Sequence, residues 1–283
     1  MSYIEVAPNV DLFYQDWGTG SPVVFIHGWP LNHEMWEYQV TDLARQGLRC
    51  VAYDRRGFGK SSKPWESYDY DTLADDLKAV LEALDLRDVT LVGFSMGGGE
   101  VVRYLSRYGS DRVAKAVLLG AVTPYMLKTP DNPDGVDQSM FDEILAKIKD
   151  DRPAFLESFA LQFYGVSMLK HPVSQALLDW NQMLALQGSP KATLDCVHSF
   201  ARTDFRADMA RVQVPTLIIH GDHDQVVPID ATGAVAAKMI PGAQYIVYEG
   251  APHGFWYTDR EKLNRDLLAF VQQPVSAAAS AGL

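Results

Sequence analysis

The chain is short of cysteine, of basic runs and of long apolar stretches, and each shortage removes a class of explanation. Its two cysteines, Cys50 and Cys196, stand far apart in unlike contexts. They make neither a disulfide framework nor a zinc site, and they read as reduced, buried thiols. No run of Lys and Arg interrupts a net charge of −11, so neither nucleic acid nor an anionic membrane surface is an expected partner. No stretch approaches the roughly 18 apolar residues of a membrane span. Met1 to Asp11 lacks the basic-then-apolar layout of a secretion signal, so the expected location is the cytoplasm. No His/Cys/Asp cluster has metal-ligand spacing, and neither a dinucleotide fingerprint nor an internal repeat occurs. Asp54 to Ser61, D-R-R-G-F-G-K-S, lacks the G-x-x-x-x-G-K-[S/T] spacing of a phosphate loop and reads as a structural turn after a strand.

What remains is a globular composition, 47% hydrophobic over 283 residues, large enough to hold a core without metal or disulfide. Apolar runs at Val23–His27, Cys50–Tyr53, Val89–Phe94, Ala116–Leu119, Thr216–His220 and Tyr245–Tyr248 read as short buried strands. Glu34–Arg45, Thr72–Leu84 and Gly97–Tyr108 carry helical spacing between them. Continuous apolar strands alternating with helices predict an α/β fold, a parallel sheet covered on both faces. Ile4–Val6 and Leu12–Asp16 look like an antiparallel hairpin at the sheet edge.

The alternation breaks after Val122. Pro124, Pro130 and Pro133 cluster in a loop, Phe141 to Ser199 is nearly all helical pattern, and the sheet resumes only at Val214. The expected organisation is a sheet-bearing core of residues 1–122 and 206–273 with a helical lid, or cap, of residues 123–205 inserted over the carboxyl edge, where open sheets bind ligands. The Ala- and Ser-rich tail, 274–283, is expected to be disordered.

G-x-S-x-G occurs once, as Gly93 to Gly97 around Ser95, directly after an apolar run and before a helical one. That context suits a serine on a strained strand-to-helix turn, with glycines on either side to avoid backbone clashes. A serine hydroxyl attacks only when a base takes its proton and a third group orients that base. Of seven histidines, His27 and His220 end predicted strands and read as satisfied buried residues. His33, His171, His198 and His223 show no partner pattern. His253, in A-P-H-G-F after the last strand, sits on a loop that opens on the same side of the sheet as Ser95 and is the best base. In G-D-H-D-Q-V-V-P, Asp222 lies at the strand exit, where turn hydrogen bonds would consume it. Asp224 lies further out and is preferred as the orienting acid. A developing oxyanion needs donors: the backbone N–H groups of Met96 and Trp29 are the candidates, with Gly28 freeing the backbone to turn. Pro30 has no N–H and fixes its own φ, which stiffens the loop and sets the direction of the Trp29 carbonyl.

Taken together, H-G-W-P, D-R-R-G-F-G-K-S, G-F-S-M-G-G-G-E, L-L-G-A-V-T-P, H-G-D-H-D-Q-V-V-P and A-P-H-G-F resemble the α/β-hydrolase superfamily. More narrowly they resemble its bacterial cofactor-free haloperoxidase, perhydrolase and arylesterase group, from about Tyr3 to Gln272. The resemblance implies a mostly parallel eight-stranded sheet with helices on both faces and an inserted helical lid. It implies Ser95, Asp224 and His253 as triad, Trp29 and Met96 as oxyanion donors, and no metal, haem or other cofactor. It further implies hydrolysis of small carboxylic esters through an acyl-enzyme. Hydrogen peroxide in place of water would give peracids that oxidise halide outside the site. H-G-W-P with proline resembles the peroxide-using members. Relatives in that group are often dimers or larger, which leaves room for a homo-oligomer.

Trp29, Pro30, Phe94, Val122, Phe141, Phe159, Phe163 and Val227 are the expected lining of a compact aromatic pocket suited to short aryl esters. A serine at position 95 argues against haloalkane dehalogenases and epoxide hydrolases, whose nucleophile resembles an aspartate there. Lactone, γ-lactam and carbon–carbon bond hydrolysis on the same triad remain alternatives, and a non-catalytic ligand receptor is the competing reading of another class.

Overall fold

The computed structural model describes residues 2–274; the tail expected to be disordered lies, from 275 on, outside them. The chain opens with strands β1 (Tyr3–Ala7), β2 (Val10–Trp17) and β3 (Pro22–Ile26), then a 3₁₀ turn (His33–Trp36) leading into helix α1 (Glu37–Arg45). Strand β4 (Arg49–Tyr53), α2 (Tyr70–Ala83), β5 (Val89–Phe94), α3 (Met96–Tyr108) and β6 (Val113–Leu119) follow. Next come α4 (Gln138–Phe163), α5 (Gln175–Leu186), α6 (Pro190–Arg202) and the single turn α7 (Arg206–Met209). The chain closes with β7 (Thr216–Gly221), α8 (Gly233–Met239), β8 (Gln244–Tyr248), α9 (Phe255–Thr258) and α10 (Arg260–Gln272).

The eight strands form one sheet in the order β1-β2-β4-β3-β5-β6-β7-β8. Pairing is antiparallel between β1 and β2 and between β2 and β4, and parallel across the rest. Successive strand residues point to opposite faces, and every residue of β5 and β7 is buried, so both faces are covered. Helix α2 packs on α3, and α1 on α10. Strands β5 and β7 are mostly apolar because neither has a wet side.

Strand β6 begins three residues before the apolar run that signals it, because Lys115 interrupts the run. Its Nζ reaches the Phe270 and Val271 carbonyls at 2.8 and 2.7 Å, satisfying the carboxyl end of α10. The predicted helical stretch is three helices, each with a polar residue before its first turn. Ser174 and Ser189 cap α5 and α6 by accepting from Leu177 and Ala192 N–H. Helix α4 is kinked at Asp151 (φ −145°, ψ 88°), just before Pro153, and Asp151 Oδ1 caps the second half through Ala154 N–H at 3.0 Å. Among the described residues no helix is long and apolar enough to cross a membrane.

Candidate active site

Strand β5 ends at Phe94 and α3 starts at Met96, so Ser95 alone makes the turn between them. Its backbone takes φ 55°, ψ −118°, a conformation that a residue with a Cβ holds only when its surroundings enforce it. The enforcement is visible. Ser95 N–H is tied to the Leu119 carbonyl of β6 at 2.8 Å. A Cβ on Gly97 would come within 2.5 Å of the Ile26 carbonyl, and one on Gly93 within 2.4 Å of the Gly97 carbonyl. The turn therefore needs glycine on both sides and aims the Ser95 hydroxyl out of the carboxyl end of the sheet.

His253 meets that hydroxyl: Nε2 lies 3.0 Å from Ser95 Oγ. Its other nitrogen, Nδ1, lies 2.6 Å from Asp224 Oδ2. A carboxylate only accepts, so Nδ1 carries the proton and Nε2 offers its lone pair to the serine. The imidazole is wedged between Phe94 and Phe163, with centroids 4.8 and 4.9 Å away. Asp224 Oδ1 accepts from Val226 and Val227 N–H at 2.9 and 2.8 Å. Burial alone would push its carboxyl up, but the His253 imidazole and hydrogen bonds from His220 and His253 outweigh burial and hold it well below the usual carboxylate range. Asp222 is spent elsewhere, accepting from Gly250 N–H at 2.6 Å and facing His223 Nδ1 at 2.7 Å.

Two histidines read as ordinary have more to them. His220 Nε2 lies 3.0 Å from the Val227 carbonyl and 3.2 Å from Asp224 Oδ2, so it donates toward the same carboxylate that His253 uses. His33, read as lacking a partner, has its Nδ1 2.6 Å from Asp54 Oδ1, and Asp54 Oδ2 also accepts from Lys60 N–H at 2.8 Å. D-R-R-G-F-G-K-S is thus a structural turn held from inside. Arg56 pairs with Asp76 through two 2.6 Å bonds, and Arg55 pairs with Glu100 on α3.

Met96 N–H stands at the start of α3, where a helix leaves its own donors unpaired. Gly28, read as freeing the backbone to turn, does not have a left-handed φ. Glycine is required for close approach, since a Cβ there would sit 2.6 Å from the Phe94 ring and 3.2 Å from Ser95 Cβ. This brings the Gly28–Trp29 backbone against the serine. The Trp29 side chain is fixed from the opposite direction, with Nε1–H donating to the Thr193 carbonyl of α6 at 3.1 Å.

Ser95 opens into a cavity of about 490 Å³ whose lining includes Trp29, Val122, Phe141, Phe159 and Val227. Phe94, Phe163 and Pro30 do not line it. Phe94 and Phe163 are spent clamping the His253 ring, and Pro30 is buried without reaching the cavity. Phe155 and Phe200 take their place, each within about 6 Å of the Trp29 ring (6.3 and 5.6 Å between centroids). Glu143, Lys147, Gln162 and Gln225 supply polar wall. Gln162 Nε2 also donates to the Gln225 carbonyl at 2.8 Å, joining α4 to the Asp224 loop. Among the described residues no three His, Cys, Asp or Glu side chains come together as a metal site would need.

A serine presented on a strand–turn–helix, with an acid and then a histidine following in chain order at the same sheet edge, is the arrangement of an α/β-hydrolase. The chain belongs to that family: the model of the alpha/beta hydrolase fold matches residues 21–259. It is 47% identical over 267 residues to a non-heme chloroperoxidase of Kitasatospora aureofaciens, covering 94% of this chain and 97% of that one. It is 41% identical over 276 residues to a bifunctional esterase/perhydrolase of Acinetobacter calcoaceticus, covering 96% and 100%. The crystal structure of a bromoperoxidase from Bacillus anthracis matches with a TM-score of 0.93 at 46% identity, over 96% of this chain and 99% of that one. The protein is an enzyme of this haloperoxidase and esterase group.

Proposed function

We propose that the protein is a serine hydrolase of small carboxylic esters, aryl esters with short acyl groups above all, working through an acyl-enzyme. His253 Nε2 takes the Ser95 proton as Oγ attacks the ester carbonyl, and Asp224 holds the resulting imidazolium. The oxyanion is received by Trp29 and Met96 N–H, each donor worth roughly 2.7–4 kcal/mol at such a site. Collapse of the tetrahedral species expels the alcohol, which leaves with the proton from His253. Water then attacks the acyl-enzyme, giving its proton to His253, and the acid departs as Ser95 is reprotonated. Hydrogen peroxide in the place of water yields a peracid by the same proton movements. Residues 123–205 serve as a lid over the site, and the cavity lies within the size range of small-molecule pockets.

The observation that carries this reading is the chain Ser95–His253–Asp224, at 3.0 and 2.6 Å, opening into an apolar cavity. Mixing the enzyme with 4-nitrophenyl acetate is expected to release a burst of one nitrophenolate per site, and Ser95→Ala is expected to lower kcat by about 10⁶. Turnover that survives Ser95→Ala overturns the proposal. For the peroxide branch, the Trp29 carbonyl, directed by Pro30, accepts a hydrogen bond from the incoming peroxide. Pro30→Leu is expected to lower the ratio of perhydrolysis to hydrolysis, and an unchanged ratio removes Pro30 from the account.

A further inference from the structure

The Gly28–Trp29 peptide carries the candidate oxyanion donor on one side and a carbonyl on the other. In a planar trans peptide those two groups point in opposite directions, so whatever grips the Gly28 carbonyl aims the Trp29 N–H. Two donors reach that carbonyl: Leu31 N–H at 3.0 Å and His27 Nδ1 at 2.9 Å.

Nδ1 can donate only if it holds the ring proton, and the opposite nitrogen settles this. His27 Nε2 lies 2.9 Å from the backbone N of Arg55. A backbone N–H can only donate, so Nε2 is the lone-pair nitrogen and the single N–H of the neutral ring is on Nδ1. The Arg55 backbone N–H fixes that tautomer, and the Arg55 side chain keeps the ring neutral. Its Nη2 donates to the His27 carbonyl at 2.6 Å, and its Nη1 stands 3.3 Å from Nδ1, a contact between two hydrogen-bearing nitrogens. Burial and this neighbouring cation both push His27 well below its ordinary value, which excludes a second proton. Arg55 is itself held by Glu100, Nε to Oε1 at 2.6 Å, and Glu100 Oε2 accepts from Tyr53 Oη at 3.0 Å. All three side chains are buried. Glu100 lies on α3, the helix that Ser95 opens.

The geometry points to His27 as a positioning residue of the oxyanion hole: held as the Nδ1–H tautomer by the Arg55 backbone N–H, beside a guanidinium that Glu100 anchors, it holds the Gly28 carbonyl and thereby aims Trp29 N–H at the carbonyl oxygen bound over Ser95. The inference rests on the serine-hydrolase reading above. The bland account of a buried strand-end histidine leaves unexplained why both ring nitrogens are engaged with the backbone of the loops that leave β3 and β4. It equally leaves unexplained why a buried ion pair ties that ring to the nucleophile's helix.

Two measurements test it. In the intact enzyme labelled with ¹⁵N-histidine, long-range proton–nitrogen correlation spectra, with His27 assigned by its loss in His27→Asn, are expected to show Nδ1 protonated. An Nε2-protonated ring overturns the inference, and this needs no variant to retain activity. In kinetics, active sites are counted by titration to completion with a serine-reactive phosphonate, and rates with 4-nitrophenyl acetate are expressed per site. His27→Leu is expected to lower kcat per site by about 10²–10³ with little change in KM, and to weaken a boronic acid that mimics the tetrahedral species by the same factor. His27→Asn, whose amide still donates to the Gly28 carbonyl, is expected to recover most of that loss. A merely structural role would reduce the number of titratable sites and leave kcat per site and boronate affinity alone; that result also overturns the inference. Wild-type enzyme without an ester burst would instead sink the serine-hydrolase reading and leave the tautomer measurement standing.

Discussion

Asp224 spreads a single carboxylate over four donors, two backbone N–H groups on Oδ1 and two imidazoles on Oδ2. Asp224→Asn keeps the shape, but an amide accepts at one end only and cannot serve both the Val226–Val227 N–H groups and the His253 N–H, and kcat is expected to fall by about 10⁴. The variant also has a pH signature. Because the folded-state carboxyl is held below its unfolded value, the stability it lends is complete above the ordinary carboxylate range and is lost as pH falls through and below about 4. The gap in melting temperature between wild type and Asp224→Asn should therefore narrow on acidification from pH 6 to about pH 3; a constant gap would contradict the assigned shift. At this scale the sequence was informative where function leaves a pattern. Ser95 stands between its glycines, His253 on a Pro/Gly loop, and Asp224 two residues beyond the strand exit. It was silent where the same residue type serves two ends. Helical spacing puts Phe155, Phe159 and Phe163 on one side of α4, yet says nothing of Phe159 facing the cavity while Phe163 faces an imidazole. A strand histidine such as His220 reads alike beside a leucine or a carboxylate.

Among the elements, α4 shows most clearly how local rules build the pocket. Its periodicity continues through the break, so from sequence it reads as part of one helical block. The break follows from Pro153, which removes a helical donor, and from Asp151, which turns outward to cap what comes next. The capped half carries Phe155 and Phe159. Asp151→Ala is expected to cost about 1 kcal/mol in urea unfolding. It should also raise KM for aryl esters about two- to fivefold with little change in kcat, because fraying moves aromatic wall and leaves the reacting atoms in place. An equal loss in kcat would show that α4 bears on the chemistry. Strand β6 illustrates the opposite problem: Lys115 breaks an apolar run for a reason that lies 155 residues away, at the end of α10. No window along the chain contains that information.

At the scale of the molecule, the strand order reverses at β3, with β4 on one side and β5 on the other, and ligand sites gather at such switch points. The H-G-W-P loop leaves β3 and Ser95 leaves β5, so the two candidate oxyanion donors come from neighbouring strands at the reversal. Alternation of strands and helices made this topology legible, since parallel crossovers leave few other arrangements. A net charge of −11 acts over the same distances. Esters bearing a carboxylate are expected to react more slowly than neutral isosteres, with kcat/KM rising about two- to threefold as salt goes from about 0.01 to 0.3 M. A neutral ester should show no such rise, and equal behaviour of the two would exclude long-range repulsion.

The cavity has two owners. Its floor, with Ser95 and the loops of Trp29 and Val227, belongs to segments that leave the sheet, while Phe141, Phe155, Phe159 and Phe200 come from the stretch between β6 and β7. These two sets of residues are encoded in separate parts of the chain and face each other across the cavity, touching where the Trp29 ring meets Phe155, Phe159 and Phe200. Substitutions in the intervening stretch can therefore reshape the wall of the cavity while the Ser95–His253–Asp224 contacts stay in place.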